Sequence, residues 1–470
     1  MIELKDVSFL YAAEVSLNDD KTEKQSESLK NINLSVHKGE VVLLTGPSGC
    51  GKTTILRLIN GLIPEYYAGE LRGTVHIAGR DSLDISLEER ATIVGTVFQD
   101  PRAQFFSVDT TNELAFGCEN QGMEEEEIYQ RIDNTVARFS MQTLMDRNIF
   151  ELSGGEKQKI ACASIDVEDP EIILMDEPSS NLDVDSMEKL KEVISIWKSQ
   201  GKTIVISEHR INYIWDLIDK MYVMRSGEIV KSFDANEMSL INDGDLAALG
   251  LRSKTMENPM NIRMEEAESS EEVIRIEKMS LKRGKRQIFH IDEMEIPVGK
   301  ITAIVGRNGR GKTSFLRCMA GLESSCKGSI TINKEVYRPR AMKKRTFLVM
   351  QDVNHQLFTE SVLEEVLISD AEEKMEKDME ILRELNLDNV SKRHPMSLSG
   401  GQKQRVAVAC AVASERELLL FDEPTSGLDY INMRELAKQL KKLCEMKKTV
   451  LIVTHDSEFI RACCDKIVYL

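Results

Sequence analysis

Polar and apolar side chains alternate through residues 1–11, MIELKDVSFLY, the pattern of a strand with one buried face. The polar segment 18–28, NDDKTEKQSES, is expected to be a solvated loop between two strands. Residues 34–44 hold two further apolar runs split by Lys38-Gly39, a turn signal. The second run, VVLLT, leads straight into a glycine-rich stretch and then a helical run, ILRLIN. Strand-like runs recur at 92–98, 172–175 and 203–207, and 221–230 reads as a hairpin about Ser226-Gly227. The acidic run 124–127 reads as the solvated start of a helix, with no function assigned. From 252 to 272 the composition turns polar and acidic, with one proline, which marks a linker. A flexible segment of that length reaches roughly 25 Å on average. Strand-like runs then begin again, at 301–305, 347–350, 418–421 and 449–454.

The second series repeats the first. Residues 152–183, LSGGEKQKIACASIDVEDPEIILMDEPSSNLD, and 398–429, LSGGQKQRVAVACAVASERELLLFDEPTSGLD, are identical at 16 of 32 positions. Such self-similarity predicts two copies of one domain: 1–251 and 273–470, joined by the acidic linker 252–272. Residues 466–470 align with 220–224, so the hairpin of the first half has no counterpart in the given sequence.

Composition narrows the class. The chain has 470 residues, 41% hydrophobic and 30% charged, as expected of a soluble globular protein. A net charge of −17 argues against nucleic acid as the main partner, because phosphate-backbone affinity needs lysine and arginine. No run approaches the length of a membrane-spanning helix, and the start lacks the basic-then-apolar shape of a signal peptide. The nine cysteines form no C-x-x-C pair or regular framework and read as reduced cytosolic thiols.

The chemistry lies at the strand ends. Gly46, Pro47, Ser48, Gly49, Cys50, Gly51, Lys52, Thr53 and Thr54 follow a strand and open a helix in the pattern G-x-x-x-x-G-K-[ST]. The glycines let the backbone wrap phosphates, and the helix start adds its positive dipole end. Lys52 is placed to reach the β- and γ-phosphates, and the Thr53 hydroxyl to ligate Mg²⁺. By chance one such match occurs in about 1–2% of chains this long. Here a second follows its own strand: Gly306, Arg307, Asn308, Gly309, Arg310, Gly311, Lys312, Thr313 and Ser314. A phosphate loop is therefore expected in each half. Gln99 and Gln351 end the next strand-like runs and can place an amide oxygen on Mg²⁺ or the attacking water. Alone, either would read as a surface glutamine; the same place in both halves gives them weight. Asp176-Glu177 and Asp422-Glu423 close four-residue apolar runs, as carboxylates delivered at the C-terminal ends of buried strands do. The first acid is expected to hold Mg²⁺ through water, and the second to polarise the attacking water. His209 and His455 each stand 33 residues past the first acid, 209 − 176 and 455 − 422, which points to a γ-phosphate contact.

At these residues nearly the whole chain resembles an ABC-type ATPase. LSGG is similar to that family's signature, and DEPSSNLD and DEPTSGLD to its Walker B and D-loop segments. The resemblance implies an α/β fold: two P-loop NTPase domains, each with a mainly parallel core sheet, an antiparallel β subdomain and a helical subdomain. It also implies that the two domains pair head to tail within one chain, with ATP and Mg²⁺ as cofactors. One site would then join Lys52, Gln99, Asp176, Glu177 and His209 to Ser399, Gly400 and Gly401. The other would join Lys312, Gln351, Asp422, Glu423 and His455 to Ser153, Gly154 and Gly155. Both are complete by sequence, so both are expected to hydrolyse ATP. Tyr11 fits the family's adenine-stacking aromatic, whereas the equivalent place in the second half holds Arg283.

QDPRAQFF at 99–106 and QDVNHQLF at 351–358, with SEHR at 207–210, resemble the ATPases of energy-coupling factor (ECF) transporters. That resemblance implies a peripheral subunit on the cytoplasmic face of the membrane. Its partners would be a transmembrane scaffold subunit and a membrane subunit that binds a vitamin or metal ion. In that setting one of Phe105 and Phe106 is expected to point inward and the other, with Gln104, to meet a scaffold helix; Gln356-Leu357-Phe358 is the counterpart. The competing class, a tandem ABC ATPase acting on ribosomes, usually carries a long charged helical linker, and this one is short and acidic. A DNA-repair ATPase would need a long heptad run, which the sequence lacks.

Overall fold

The computed structural model describes residues 1–12, 27–180, 182–255, 257–263, 272–307, 309–370 and 374–470. Asn308, most of the polar segment 18–28 and residues 264–271 of the acidic stretch lie outside the described residues. The chain forms two compact units, Met1–Thr255 and Met256–Leu470.

The strands of the first unit run in order β1 (Ile2–Tyr11), β2 (Leu29–Val36), β3 (Val41–Thr45), β4 (Gly69–Ile77), β5 (Arg80–Asp81), β6 (Val94–Val97), β7 (Ile172–Asp176), β8 (Thr203–Ser207), β9 (Lys220–Arg225) and β10 (Glu228–Asp234). They build an antiparallel sheet of order β2-β1-β4-β5 and a core sheet of order β10-β9-β3-β8-β7-β6. The core sheet is parallel except for β10. The second unit repeats the plan with β11 (Val273–Arg283), β12 (Arg286–Pro297), β13 (Ile301–Val305), β14 (Lys327–Ile332), β15 (Glu335–Tyr337), β16 (Thr346–Val349), β17 (Leu418–Asp422), β18 (Thr449–Val453) and β19 (Lys466–Tyr469). Its sheets have the orders β12-β11-β14-β15 and β16-β17-β18-β13-β19.

Short, wholly apolar runs became the core strands because helices and the second sheet cover both their faces. In β17, Leu418 and Leu420 join the cluster under β11, β12 and the helix Lys312–Met319. Leu419 and Phe421 face the opposite cluster, with the helix Gly400–Ala413. One period-2 alternation thus sorts neighbouring residues into two cores. The expected strand at 92–98 is shorter, Val94–Val97. Thr92 and Ile93 instead finish the helix Leu87–Ile93, whose N-cap Ser86 accepts from Glu89 N. The Ser-x-x-Glu start outweighs the β-branched residues at the helix end.

The acidic stretch is not flexible throughout. Arg252 is buried in the first unit. In the second unit Pro259 and Ile262 are buried, Glu257 pairs with Arg461, and Tyr469 Oη donates to Ile262 O at 2.9 Å. Side-chain packing of Pro259 and Ile262 has overridden a polar composition.

In the first unit the helix Gly154–Glu168 carries a buried polar joint. Asp166 accepts from Trp197 Nε1 at 2.8 Å, Thr135 Oγ1 at 2.6 Å and Arg138 Nη1 at 2.7 Å. Trp197 and Thr135 are both buried, so removing the carboxylate strands two donors. Asp166→Ala is expected to destabilise the first unit by roughly 3 kcal/mol, read by denaturant unfolding. An unchanged midpoint would remove the joint from the stability of this unit.

Candidate active site

β3 delivers the chain into the first glycine-rich loop, which opens the helix Lys52–Ile59. Gly46 and Gly51 have φ of 144° and 106°. A Cβ at Gly46 would lie 2.2 Å from Met224 O, and one at Gly51 2.7 Å from the Leu29 side chain. Packing therefore demands glycine at both. At Gly49, also left-handed, a Cβ would meet nothing within 4 Å. The loop is thus pinned at its ends and open at its centre, as a backbone cradle for phosphate must be. The Cys50 thiol packs into the core. Thr54 is buried with its hydroxyl 3.2 Å from Tyr11 Oη.

Lys52 is buried, and its ammonium folds across the loop to the carbonyls of Gly46 at 3.1 Å and Pro47 at 3.3 Å. His209 Nε2 stands 3.4 Å from Lys52 Nζ, 3.5 Å from Ser48 Oγ and 3.0 Å from Glu177 Oε1. Gln99 Nε2 donates to Glu177 Oε2 at 2.9 Å, and Thr53 Oγ1 to Asp176 Oδ1 at 3.2 Å. Seven sequence-predicted side chains from four strand ends therefore converge on one spot.

The second unit repeats the arrangement. Lys312 Nζ donates to Gly306 O at 2.8 Å and Arg307 O at 3.2 Å. Thr313 Oγ1 donates to Asp422 Oδ1 at 3.2 Å, and His455 Nε2 lies 3.4 Å from Glu423 Oε1. Gly309 is again open and Gly311 pinned, by Ile288. Arg307 and Arg310 are exposed on the loop, and Ser314 is half-buried in the helix it opens. Gln351 follows β16 as Gln99 follows β6.

Burial raises the pKa of Asp176, and the charge of Glu177 beside it adds to the shift; burial does the same to Asp422. A largely buried carboxylate next to a threonine hydroxyl suits a hard cation. Magnesium is commonly held by one or two protein oxygens together with substrate phosphates. Asp176, Thr53 and Gln99 fit that role, as do Asp422, Thr313 and Gln351.

The signature serines cap helices. Ser153 accepts from Glu156 N and Ser399 from Gln402 N, each in a reciprocal capping box. Ser153, Gly154, Ser399 and Gly400 are exposed, leaving the helix N-termini open to an anion. A Cβ at Gly155 would lie 2.2 Å from Ser186 Oγ, and Gly401 is buried. The third signature position is therefore glycine for packing.

The two units differ where an adenine would rest. Tyr11 is edge-on to Phe9 and Tyr67, and Arg57 Nη1 donates to its hydroxyl at 3.1 Å. Arg283 instead donates to Glu323 at 3.3 Å, and the same carboxylate takes Arg317 Nε at 2.9 Å. An aromatic cluster is replaced by an ionic one.

Three features escaped the motif reading. First, Glu177 and Glu423 have φ of 44° and 46°. A left-handed glutamate is rare, and such strain gathers at functional sites. Each amide is tied back, Glu177 N to Ser207 O and Glu423 N to Val453 O, both at 2.8 Å. Second, the Gln104 side chain is engaged within its own unit. It accepts from Phe98 N at 3.3 Å and donates to Ala161 O at 3.2 Å, closing its own loop. Gln356 does likewise, with Met350 N at 3.1 Å and Leu348 O at 3.2 Å. Third, Glu113 holds the amides of Phe106 and Ser107, and Glu365 those of Phe358 and Thr359. The equal spacing of Gln104–Glu113 and Gln356–Glu365 in the two halves was the available signal.

Fold and site together define a doubled ATP-hydrolysing P-loop cassette. The ABC transporter family matches residues 29–180 and 289–426, and the chain belongs to that family. A Treponema denticola relative described as "Putative ABC transporter ATP-binding protein" is 40% identical over 478 residues, covering 100% of this chain and 95% of its own. A Bacillus subtilis relative described as "Putative HMP/thiamine import ATP-binding protein YkoD" is 30% identical, covering 95% of this chain and 87% of its own. The solved structure of RNase-L Inhibitor matches with a TM-score of 0.65 at 22% identity, over 99% of this chain and 87% of that one, a likeness of fold alone. The chain is thus an ATP-binding ABC ATPase, and no helix among the described residues is long and apolar enough to cross a membrane.

Proposed function

We propose that this chain is the ATPase subunit of an ECF-type importer. It powers uptake of a vitamin or metal-ion micronutrient through a transmembrane scaffold subunit and a substrate-binding membrane subunit, at the cytoplasmic face of the membrane. In each unit Lys52 or Lys312 grips the phosphates, and the exposed helix starts at Ser153-Gly154 and Ser399-Gly400 can each offer further amides to a phosphate. Asp176, Thr53 and Gln99, or Asp422, Thr313 and Gln351, would hold Mg²⁺, which when bound would supply neutralisation of charge on the phosphates. Glu177 and Glu423 polarise the attacking water, while His209 and His455 contact the γ-phosphate.

The observation that carries the membrane reading is a pair of exposed apolar patches. Phe106 is 74% exposed and stacks on Phe116, with Val108 and Phe150 exposed as well. In the second unit Phe358 is 73% exposed, with Ile368 and Met396 also exposed. Each begins seven residues after the site glutamine, 106 − 99 and 358 − 351. Leu357 is buried beneath its patch, and Phe105 is half-buried. Exposed aromatics placed alike in both units suit a hydrophobic partner helix at each position.

Affinity-tagged chain extracted with mild detergent is the test. It is expected to bring down two integral membrane proteins in fixed ratio, and its deletion to abolish uptake of one micronutrient. Cosedimentation with ribosomes and no membrane partner would overturn the reading.

A further inference from the structure

The two units solve one junction differently, and the difference lies against the catalytic histidine. Glu208 is 2% exposed. Its carboxylate accepts Ser179 N and Tyr213 Oη on one oxygen, both at 3.1 Å. The other oxygen takes His209 N at 2.7 Å and Arg210 N at 3.2 Å. A buried carboxylate is tolerated when such donors replace its water. Here they belong to two segments: Ser179 lies in the turn just after Glu177, and His209 to Tyr213 follow β8. Arg210 Nη1 donates to Leu182 O at 3.4 Å and ties the same two segments again.

The 246-residue offset that maps Asp176 onto Asp422 (422 − 176) maps Glu208 onto Thr454 and Tyr213 onto Phe459. Carboxylate and phenol are both present in the first half and both replaced in the second. Thr454 Oγ1 accepts from Asp456 N at 3.1 Å, and Asp456 caps the helix Ser457–Cys463. The amide of His455 goes to Glu423 itself, at 3.3 Å. In the first unit that amide is taken by Glu208, while Glu177 engages the side chains of Gln99 and His209.

We propose that Glu208, with Tyr213, is a positioning residue for the Lys52 site alone. It clamps His209 and the turn after Glu177 into one body, and the Lys52 site therefore turns over ATP faster than the Lys312 site. This rests on the roles proposed above for Glu177 and His209. Those roles fail separately, since Glu177→Gln alone must then leave the Lys52 site active whatever stands at 208.

The test converts the first junction into the second, with Glu208→Thr plus Tyr213→Phe, residues the second unit already accommodates. In a Glu423→Gln background, where turnover comes from the Lys52 site, kcat is expected to fall about ten-fold or more with KM for ATP changed less than about two-fold, the pattern of lost positioning. In a Glu177→Gln background the same pair is expected to lower the remaining rate by less than about two-fold. Equal loss in both backgrounds would mean general destabilisation and overturn the proposal, as would an undiminished kcat in the first. If the pair does not fold, Glu208→Gln keeps the volume and gives up acceptors; it is held to the same two-background comparison.

Discussion

Glu177→Gln combined with Glu423→Gln is expected to lower ATP hydrolysis by roughly a thousand-fold, the scale of a lost general base. ATP binding should survive, because the phosphate loops, Lys52 and Lys312 are untouched. The geometry makes the substitution clean. Glutamine has the shape of glutamate, and the left-handed backbone at both positions already accommodates that shape. The new side chain carries one oxygen where Glu177 has two, so it can keep the Gln99 or the His209 contact but not both, and its equal volume keeps the pocket filled. What is lost is the negative charge aimed at water. Purified double variant is expected to retain ATP rather than ADP after gel filtration, and each single variant to lose only its own site's share of turnover. A double variant that hydrolyses at the normal rate would transfer the role to another group.

The second large effect concerns transport. Phe106→Ser with Phe358→Ser is expected to reduce uptake in cells carrying the full complex by more than about ten-fold, as loss of buried aromatic anchors does at an interface. ATPase activity of the isolated chain should change little, because both rings are exposed. Glu113 and Glu365 bind the backbone amides at these positions, so the loops keep their path without the rings. Gln104 and Gln356 cannot serve in this experiment. Their side chains hold the loop that begins at Gln99 or Gln351, and truncating them would damage hydrolysis and coupling together. Normal uptake and normal co-purification in the double phenylalanine variant would remove these patches as the docking surface.

The phosphate loops, the two acids closing β7 and β17 and the paired histidines were legible because their chemistry fixes residue type and spacing. The core strands were legible because a strand covered on both faces must be apolar throughout. Thr92 and Ile93 were misplaced because β-branched residues read as strand, and the helix they end is set by a cap six residues earlier, at Ser86. Pro259 and Ile262 were lost in a polar stretch, since two side chains suffice to anchor it. Gln104 was read as surface because its partners, Phe98 N and Ala161 O, are backbone atoms that no pattern of residue types reveals. Glu208 sat in plain view. Only placing it beside Thr454, and Tyr213 beside Phe459, shows that the first half carries something the second does not.

The positive φ at Glu177 and Glu423 has a consequence for any saturation library built there. Substitutions at these codons are filtered twice, once by turnover and once by whether the folded chain accumulates. Glycine and asparagine enter the left-handed region readily, and valine, isoleucine and threonine do not. An abundance screen blind to ATP should therefore rank Gly and Asn above Val, Ile and Thr at 177 and 423, although all five are equally inert as bases. That ordering would be absent at Asp176, which lies within β7.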